Sequence, residues 1–280
     1  MRRPAALLAI VLAVAGLATG GCLQKVEGSN RTQFNIMPDD KMNAMGGEAY
    51  QDILSKEKRS QDAEAVAMVE RVGKRLAAQV NDPGFAWEFT LLESDQVNAF
   101  CLPGGKVAIY TGILSFCQNE AGLAAVMGHE IAHAIAKHGG ERMSQGVMLQ
   151  GATTALAMAL EAKGVAPTNQ NLLMTAVGAG AQVGVMLPFS RSHETEADYL
   201  GLIYMAKSGY DPQQAVEFWQ RFATLGSGGP EFLSTHPASE HRASDLKSHM
   251  NQARAHYDSA PERLDKGAAV PARYLKAAAK

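Results

Sequence analysis

The sequence has no strong excess of charge of either sign. Its 26 Lys and Arg residues nearly balance 28 Asp and Glu residues, which leaves a formal net charge of −2. Proteins that bind nucleic acid through its phosphates carry basic patches, so we expect no nucleic-acid partner. Aromatic residues are also few, at 6%, whereas alanine, glycine and methionine are plentiful. This composition favours helices packed through small side chains, in one substantial domain or two small ones.

The apolar run near the N-terminus is too short to cross a bilayer comfortably. Residues 5–18 follow a basic pair and lead into small residues before Cys22, an order typical of a targeting segment. The residues before Cys22 resemble the lipobox of bacterial lipoproteins, which implies that residues 1–21 are a signal peptide and that Cys22 is lipidated. The alternative is a plain secretory signal cut near Gly20 or Gly21. Leu23 stands where an inner-membrane lipoprotein would have aspartate, which favours the outer membrane.

Cysteine is scarce, and only Cys101 and Cys117 remain beyond the lipidation site. An exported protein lies in an oxidising compartment, where the two could pair. A disulfide requires Cα atoms a few ångströms apart, which the sequence does not establish. Two buried free thiols are the equal alternative.

A His-Glu-x-x-His pattern stands at His129, Glu130 and His133. Residues four apart lie on one face of a helix, so the two imidazoles can bind one zinc ion at about 2.0–2.1 Å. Glu130 can then reach a water on the zinc and take its proton, because zinc lowers the pKa of that water to about 7. The alternative is a chance match on an ordinary helix.

The surroundings of this pattern predict a mostly buried helix. Apolar residues recur at helical spacing over residues 119–138, and Gly139-Gly140 is a plausible stop. Polar groups without partners are costly in such a helix. A bound metal would satisfy the two histidines.

A catalytic zinc usually has three protein ligands, so one more must come from elsewhere in the chain. His138 follows His133 by five residues and would point away from the metal, so we interpret it as structural or solvent-facing. Glu194 is the better candidate, because Asp198 follows it on the same face of a later helix. Asp198 would accept a hydrogen bond from the second ring nitrogen of a ligand histidine. The alternative for both is a charged helix surface, which we expect for Glu196.

Three short strands are predicted before the motif helix, over residues 87–92, 98–102 and 106–111. The unpaired edge of a strand beside a zinc site can bind an extended peptide through main-chain hydrogen bonds. We expect this contact at four consecutive residues, Gly105, Lys106, Val107 and Ala108. A purely structural hairpin is the alternative, and both can hold together.

Two stretches without charged residues, 146–160 and 172–187, are long enough to suggest a membrane hairpin. Polar residues interrupt both stretches, and alanine and glycine dominate them. We predict helices that pack on the core or cover the cleft. A spanning hairpin and a lid on the membrane surface are the alternatives.

Four motifs in order resemble the M48 family of zinc metallopeptidases, of the gluzincin type. They are Asn98-Ala-Phe-Cys-Leu-Pro-Gly-Gly-Lys-Val-Ala-Ile-Tyr-Thr-Gly112, His129-Glu-Ile-Ala-His133, Ser190-Arg-Ser-His-Glu-Thr-Glu-Ala-Asp198 and Ser234-Thr-His-Pro237. The resemblance is to the exported branch of the family. It implies an α+β, predominantly helical, zincin-like domain with a small β-sheet beside the helix that carries the motif.

The resemblance also implies the roles of the site residues. One zinc ion per chain would be bound by His129, His133 and Glu194, and Glu130 would act as general base and then as proton donor. His236 would stabilise the oxyanion or, in a resting state, approach the zinc and block it. Arg242 would anchor the segment of His236.

The implied protein is an endopeptidase of the bacterial envelope, anchored by lipid at Cys22 and facing the periplasm, with the outer membrane favoured. Its substrates would be unfolded or misassembled envelope polypeptides, including outer-membrane proteins. A zinc-fold chaperone that rarely cuts and an integral-membrane protease are the alternatives. The expected organisation is a tether at residues 22–45, the peptidase domain at 46–255 and a loosely ordered tail at 256–280.

Overall fold

A computed structural model describes residues 23–81, 83–164, 189–224, 231–236 and 242–275. The fold is α+β and predominantly helical, as the sequence predicts. Its strands are β1 (Leu23–Lys25), β2 (Thr32–Phe34), β3 (Glu88–Leu92), β4 (Ala99–Leu102) and β5 (Lys106–Tyr110). Its helices are α1 (Asp39–Lys56), α2 (Ala63–Ala77), α3 (Leu114–Cys117), α4 (Glu120–Ile135), α5 (His138–Ala162), α6 (Arg191–Lys207), α7 (Gln213–Ala223), α8 (Glu231–Thr235), α9 (Arg242–Ser248), α10 (Met250–Asp258) and α11 (Ala272–Leu275).

The described residues form two compact units. One contains the chain up to Pro38 together with the part of α5 from Gly139 onward, and the other contains Asp39–His138 with the described residues from Phe189 to the C-terminal end. The second unit holds the His-Glu-x-x-His pattern. The two are described separately below.

Helix α4 is the core element of the second unit, and every one of its residues is buried. The helix begins as predicted, because the side chain of Asn119 caps it by accepting a hydrogen bond from the main-chain nitrogen of Gly122 at 2.9 Å. It ends at Ile135, before the predicted stop at Gly139-Gly140. The chain turns instead at Lys137, whose φ of 56° is left-handed, and α5 starts at the next residue.

Helix α6 packs closely on α4 through two glycines. A Cβ on Gly201 would lie 2.7 Å from the main-chain nitrogen of His129, and a Cβ on Gly128 would lie 2.9 Å from the carbonyl oxygen of Gly201. No side chain fits at either position. This close approach brings the carboxylates of α6 against the histidines of α4.

The three-stranded sheet of the second unit has the order β3-β5-β4. Strand β5 is central, since it pairs in parallel with β3 and antiparallel with β4. The prediction that Gly105, Lys106, Val107 and Ala108 offer a free edge is therefore wrong, because this segment uses its main chain on both sides. The edge strand that packs on α4 is β4.

The C-terminal segment is ordered where a loose tail was predicted. The carbonyl oxygens of Ala268 and Lys266 accept hydrogen bonds from the first two N–H groups of α4, at 2.9 and 3.0 Å. Such N–H groups have no partner inside their own helix. Farther along, Arg273 pairs with Asp62 at the start of α2. Residues 259–275 therefore belong to the second unit, and their polar composition hid this.

The first unit is structured in part of the region where a tether was predicted, residues 22–45. Strands β1 and β2 pair antiparallel, and the guanidinium of Arg31 pairs with Glu141 of α5 at 2.7 Å. Gly140 packs so closely that a Cβ there would lie 2.8 Å from the side chain of Asn35. Part of the predicted tether, from Asp39 onward, is helix α1 of the second unit. Short polar strands of this kind carry little apolar periodicity.

The predicted helix over residues 146–160 is present as part of α5. Several of its apolar side chains are exposed rather than packed on a core, namely Val147, Met148, Leu149, Leu156 and Met158. Among the described helices, none combines the length and the apolarity that crossing a membrane requires. The stretch 172–187, like Cys22 and the targeting segment, lies outside the described residues.

Candidate metal centre

Four buried side chains of the second unit bring their potential ligand atoms together. His129 and His133 lie one turn apart on α4, Glu194 lies on α6 and His236 follows α8, and their ligand atoms all lie within 4.8 Å of one another. Nε2 of His129 is 3.1 Å from Nε2 of His133 and 3.2 Å from Nδ1 of His236. The structure thus assembles the three predicted ligands and adds a fourth donor.

The spacing of these atoms fits a small tetrahedral cation. Ligand atoms that are each about 2.0–2.1 Å from a tetrahedral zinc lie about 3.3 Å from one another. The carboxylate of Glu194 is 3.4 Å from Nε2 of both His129 and His133, and 3.0 Å from Nδ1 of His236. Imidazole nitrogens and a carboxylate oxygen are also the donor types that zinc accepts in catalytic sites.

One oxygen of Glu194 supports the same fit. Oε2 is buried and accepts no hydrogen bond from the described residues. Nη1 of Arg242 lies 3.0 Å away, but the angle is not that of a hydrogen bond. This oxygen is therefore ion-paired without a well-directed hydrogen bond, and a metal ion would supply the direct partner that a buried oxygen needs.

Behind His129 stands a charged pair. Nδ1 of His129 is 2.9 Å from Oδ1 of Asp198, the contact that the spacing of Glu194 and Asp198 suggests. Asp198 in turn accepts two hydrogen bonds from Arg242, at 2.8 and 2.5 Å. The guanidinium of Arg242 lies flat on Trp219, with 3.4 Å between its carbon and the ring centroid. Asp198 is therefore held from behind by a buried cation.

Behind His133 stands a second histidine. Nδ1 of His133 is 2.9 Å from Nδ1 of His138, and Nε2 of His138 is 2.9 Å from Oε2 of Glu196. All three side chains are buried. The prediction of a surface position for Glu196 is wrong, and so is the solvent-facing alternative for His138. The turn at Lys137 rotates His138 back toward the metal face, which counting residues along one continuous helix could not show.

Glu130 lies beside the four donors and is buried. Its Oε1 accepts no hydrogen bond from the described side chains and is 3.4 Å from Nε2 of His236. Burial raises the pKa of Glu130 above its ordinary value, although the nearby His236 and His129 lower it. This carboxylate is placed to exchange a proton with a group bound at the donors.

The charged surroundings give the two ligand histidines different proton affinities. Burial and Arg242 lower the pKa of His129, but hydrogen bonds to Asp198 and Glu194 outweigh them and raise it to about 9. Burial lowers the pKa of His133 well below its ordinary value. Burial raises the pKa of Glu194, and its histidine partners more than reverse this, so that the net shift is downward. An ionised Glu194 can therefore act as a ligand.

The two described cysteines are free thiols, so the disulfide alternative is not what the structure shows. Cys117 is buried under α4, and burial raises its pKa to about 12. Cys101 lies on β4, and burial together with the nearby Glu130 raises the pKa of its thiol. Cys101 on β4 is therefore within electrostatic range of Glu130 on α4.

Comparison with known sequences decides the family. The sequence model described as Peptidase family M48 matches residues 63–250 of the chain, well over half of its length. The chain belongs to peptidase family M48. It is therefore a metallopeptidase, and its buried histidines and Glu194 can hold the metal on which such enzymes depend.

Named relatives agree with this assignment. The chain is 33% identical over 237 residues to the "Mitochondrial metalloendopeptidase OMA1" of Schizosaccharomyces pombe, which covers 82% of this chain and 67% of that protein. It is 35% identical over 184 residues to the protein of the same name from Saccharomyces cerevisiae, covering 62% and 50%. It is 33% identical over 194 residues to the "Beta-barrel assembly-enhancing protease" of Escherichia coli, covering 66% and 39%. The chain thus spans two thirds of the first relative and half or less of the other two.

Proposed function

We propose that the chain is a zinc-dependent endopeptidase of the bacterial envelope that hydrolyses unfolded or misassembled polypeptides, outer-membrane proteins among them. The observation that carries the proposal is the position of Glu130, a buried carboxylate whose Oε1 accepts no hydrogen bond from the described residues, beside four converging ligand atoms. A module that only binds has no use for a base at that place. The non-proteolytic chaperone is the second reading, and it lacks an explanation for Glu130.

His129, His133 and Glu194 would hold the zinc, and one ion per chain satisfies all three. When bound, zinc lowers the pKa of a water molecule to about 7 and polarises the scissile carbonyl. Glu130 accepts the proton of the attacking water on Oε1 and passes it to the nitrogen of the leaving amine. Its raised pKa brings it closer to the range in which a carboxyl group both takes and gives a proton near neutral pH.

His236 would keep the enzyme in an inactive resting state. Its Nδ1 is 3.0 Å from the carboxylate of Glu194 and 3.2 Å from Nε2 of His129, so it occupies the fourth donor position. Its Nε2 faces Glu130 at 3.4 Å. In this arrangement His236 stands where the attacking water would stand. In the working enzyme it would move aside, and stabilising the oxyanion is then the task within its reach.

The substrate would add a strand to β4. This strand pairs on one side with β5, packs on α4, and carries Cys101, which senses the charge of Glu130. An extended peptide along Ala99–Leu102 would therefore pass the proton-transferring carboxylate. The substrate would thus bind one strand away from the predicted residues, which are Gly105, Lys106, Val107 and Ala108.

The envelope location rests on the N-terminal segment and on a relative. Residues 1–21 and Cys22 have the order of a lipoprotein signal, which would anchor the chain by lipid and favour the outer membrane. The Escherichia coli relative is named for β-barrel assembly, which points to misassembled outer-membrane proteins as the substrate class.

The test is hydrolysis of unfolded casein by the full chain in detergent, with zinc content measured in parallel. We expect cleavage by the parent and none by Glu130→Gln, which should keep its zinc. His236→Ala should raise cleavage if this residue blocks the site and lower it if the residue stabilises the oxyanion; unchanged cleavage and zinc content would remove His236 from the proposal. A parent that binds zinc and cuts neither casein nor misassembled outer-membrane proteins, with His236→Ala equally inactive, would favour the binding module.

A further inference from the structure

Three buried groups form a line behind one ligand of the centre. Nδ1 of His133 meets Nδ1 of His138 at 2.9 Å, and Nε2 of His138 meets Oε2 of Glu196 at 2.9 Å. His138 is fully buried, and Glu196 is 7% exposed. We propose that His138 and Glu196 are positioning residues that together fix the tautomer and the orientation of the metal ligand His133. The inference rests on the metal centre of the proposed function.

The direction of the hydrogen bonds follows from the chemistry of the three groups. With Glu196 ionised and His138 neutral, the carboxylate only accepts, and Nε2 of His138 carries the proton that it gives to Glu196. Nδ1 of His138 then has a lone pair and must accept from Nδ1–H of His133. His133 in this tautomer has its lone pair on Nε2, which is the atom that faces the other donors. A single charge on Glu196 therefore sets which nitrogen of His133 is free to bind.

The opposite direction of the hydrogen bond between His138 and His133 would prevent His133 from binding a metal. If Nδ1 of His138 donated to His133, a neutral His133 would carry its proton on Nε2 and aim it at the donor cluster. Metal-binding histidines commonly give their second N–H to a carboxylate or a carbonyl, and the partner raises the basicity of the ligand. Here an imidazole stands between the ligand and the carboxylate and transmits the same preference.

The fold holds the intermediate ring in place. His138 begins α5 directly after the left-handed residue Lys137. Its ring is stacked on that of His193, with centroids 4.4 Å apart and planes 22° apart, and Phe189 closes in at 6.3 Å. Glu196 lies on α6, between Glu194 and Asp198. A buried ring packed in this way cannot turn its nitrogens freely.

A plain structural pair is the competing explanation, and metal affinity separates the two. The experiment measures the dissociation constant for Zn²⁺ by competition with a chromophoric chelator, on the full chain in detergent. The visible spectrum of the Co²⁺-loaded protein reports the ligand field at the same centre. His138→Phe keeps the ring and removes both nitrogens. His138→Asn keeps one acceptor, because its amide oxygen lies near the position of Nδ1.

The matched control is His193→Phe, which changes a buried ring in the same stack and no hydrogen bond to His133. We expect His138→Phe to weaken Zn²⁺ binding about 10–100-fold and to shift the Co²⁺ spectrum. His138→Asn should recover most of that loss, and His193→Phe should bind as the parent does. Glu196→Gln, nearly identical in shape to the parent side chain, should weaken binding about tenfold, because an amide can donate to His138 as well as accept from it and no longer fixes the direction of the hydrogen bond.

Each outcome decides the inference. Equal Zn²⁺ affinity and an unchanged Co²⁺ spectrum in His138→Phe and Glu196→Gln would overturn it while leaving the metal centre intact. Equal losses in His138→Phe, His138→Asn and His193→Phe would also overturn it, since ring packing alone would then explain them. Should His138→Phe fail to fold, Glu196→Gln decides. A parent that binds no Zn²⁺ would instead remove the centre itself, and the proposed function with it.

Discussion

The two ligand histidines of α4 lie one turn apart on one face, and their rear sides are built differently. His129 meets the carboxylate of Asp198 directly at 2.9 Å, and Arg242 holds that carboxylate. His133 meets the imidazole of His138 first, also at 2.9 Å, and the carboxylate of Glu196 only beyond it. Both supports leave Nε2 of the ligand facing the donor cluster. They differ in how close the negative charge lies.

The two histidines also differ in proton affinity. Burial and Arg242 lower the pKa of His129, but hydrogen bonds to Asp198 and Glu194 raise it to about 9. At His133, burial and the charges of the neighbouring histidines outweigh the hydrogen bond to Glu194 and lower the pKa well below its ordinary value. A charge in contact with an imidazole acts on its basicity, and a charge one ring away acts mainly on its tautomer. We therefore expect the support behind His129 to matter for both stability and metal binding, and the support behind His133 mainly for metal binding.

The largest effect on Zn²⁺ affinity should come from removing either histidine of α4, because the groups behind that histidine then have no ligand to orient. His129→Ala and His133→Ala should each lower Zn²⁺ affinity by more than the about 100-fold that an outer partner contributes, and abolish casein hydrolysis. Chelator competition and the cleavage assay measure both. If His133→Ala bound Zn²⁺ as tightly as the parent, His236 would have replaced His133 as a ligand. The groups behind His133 would then not be needed for metal binding.

The next largest effect should come from Asp198→Asn. Zn²⁺ affinity should fall about 10–100-fold. The free energy of unfolding of the metal-free protein should fall by about 3 kcal/mol, because Arg242 is left as a buried cation with a weaker partner. Denaturant unfolding in the presence of a chelator measures the second value.

A second substitution separates the two consequences of Asp198→Asn. Adding Arg242→Met should restore much of the stability, since it removes the buried cation, and should leave Zn²⁺ affinity low. Recovery of both quantities together would show that Asp198 acts on the centre only through the fold.

The elements around this site differ in how far the sequence predicts them. Helix α4 follows from apolar spacing, and the family resemblance leads to the ligands because their motifs are local. Strand order does not follow, because three short strands give no information on which pair meets. The parallel pairing of β3 with β5 places β5 in the centre, which a hairpin-based interpretation misses.

His138 and Glu196 show why outer partners escape a reading of the sequence. His138 reaches its position through a left-handed turn at Lys137. Lysine rarely adopts this conformation, so the sequence does not predict the turn. Glu196 lies two residues from Glu194, so helical periodicity puts the two on different faces. Both faces are occupied, because the chain surrounds α6 with α4, α9 and α10 as well as the start of α5. That packing is a property of the whole unit.

A smaller effect is expected from Glu196→Gln, and it tests the other half of the contrast. The amide oxygen can still accept from His138, so the free energy of unfolding should fall by about 1 kcal/mol or less. The same denaturant titration that is used for Asp198→Asn measures it. A loss as large as that of Asp198→Asn would show that Glu196 is as important to the fold as the pair of Asp198 and Arg242, and the proposed division of labour would fail.

The smallest expected quantity is the coupling between the two supports. Asp198 and Glu196 are two residues apart on α6, but their contacts run to different ligands. In the metal-free protein the two supports meet where Nε2 of His129 lies 3.1 Å from Nε2 of His133. Because three imidazoles separate the two carboxylates along this path, we expect the losses of Asp198→Asn and Glu196→Gln to add to within about 0.5 kcal/mol in the double variant. A coupling above about 1 kcal/mol would mean that this network transmits a change at one carboxylate to the other. The pair of Asp198 and Arg242 behind His129 and the pair of His138 and Glu196 behind His133 would then act as one unit.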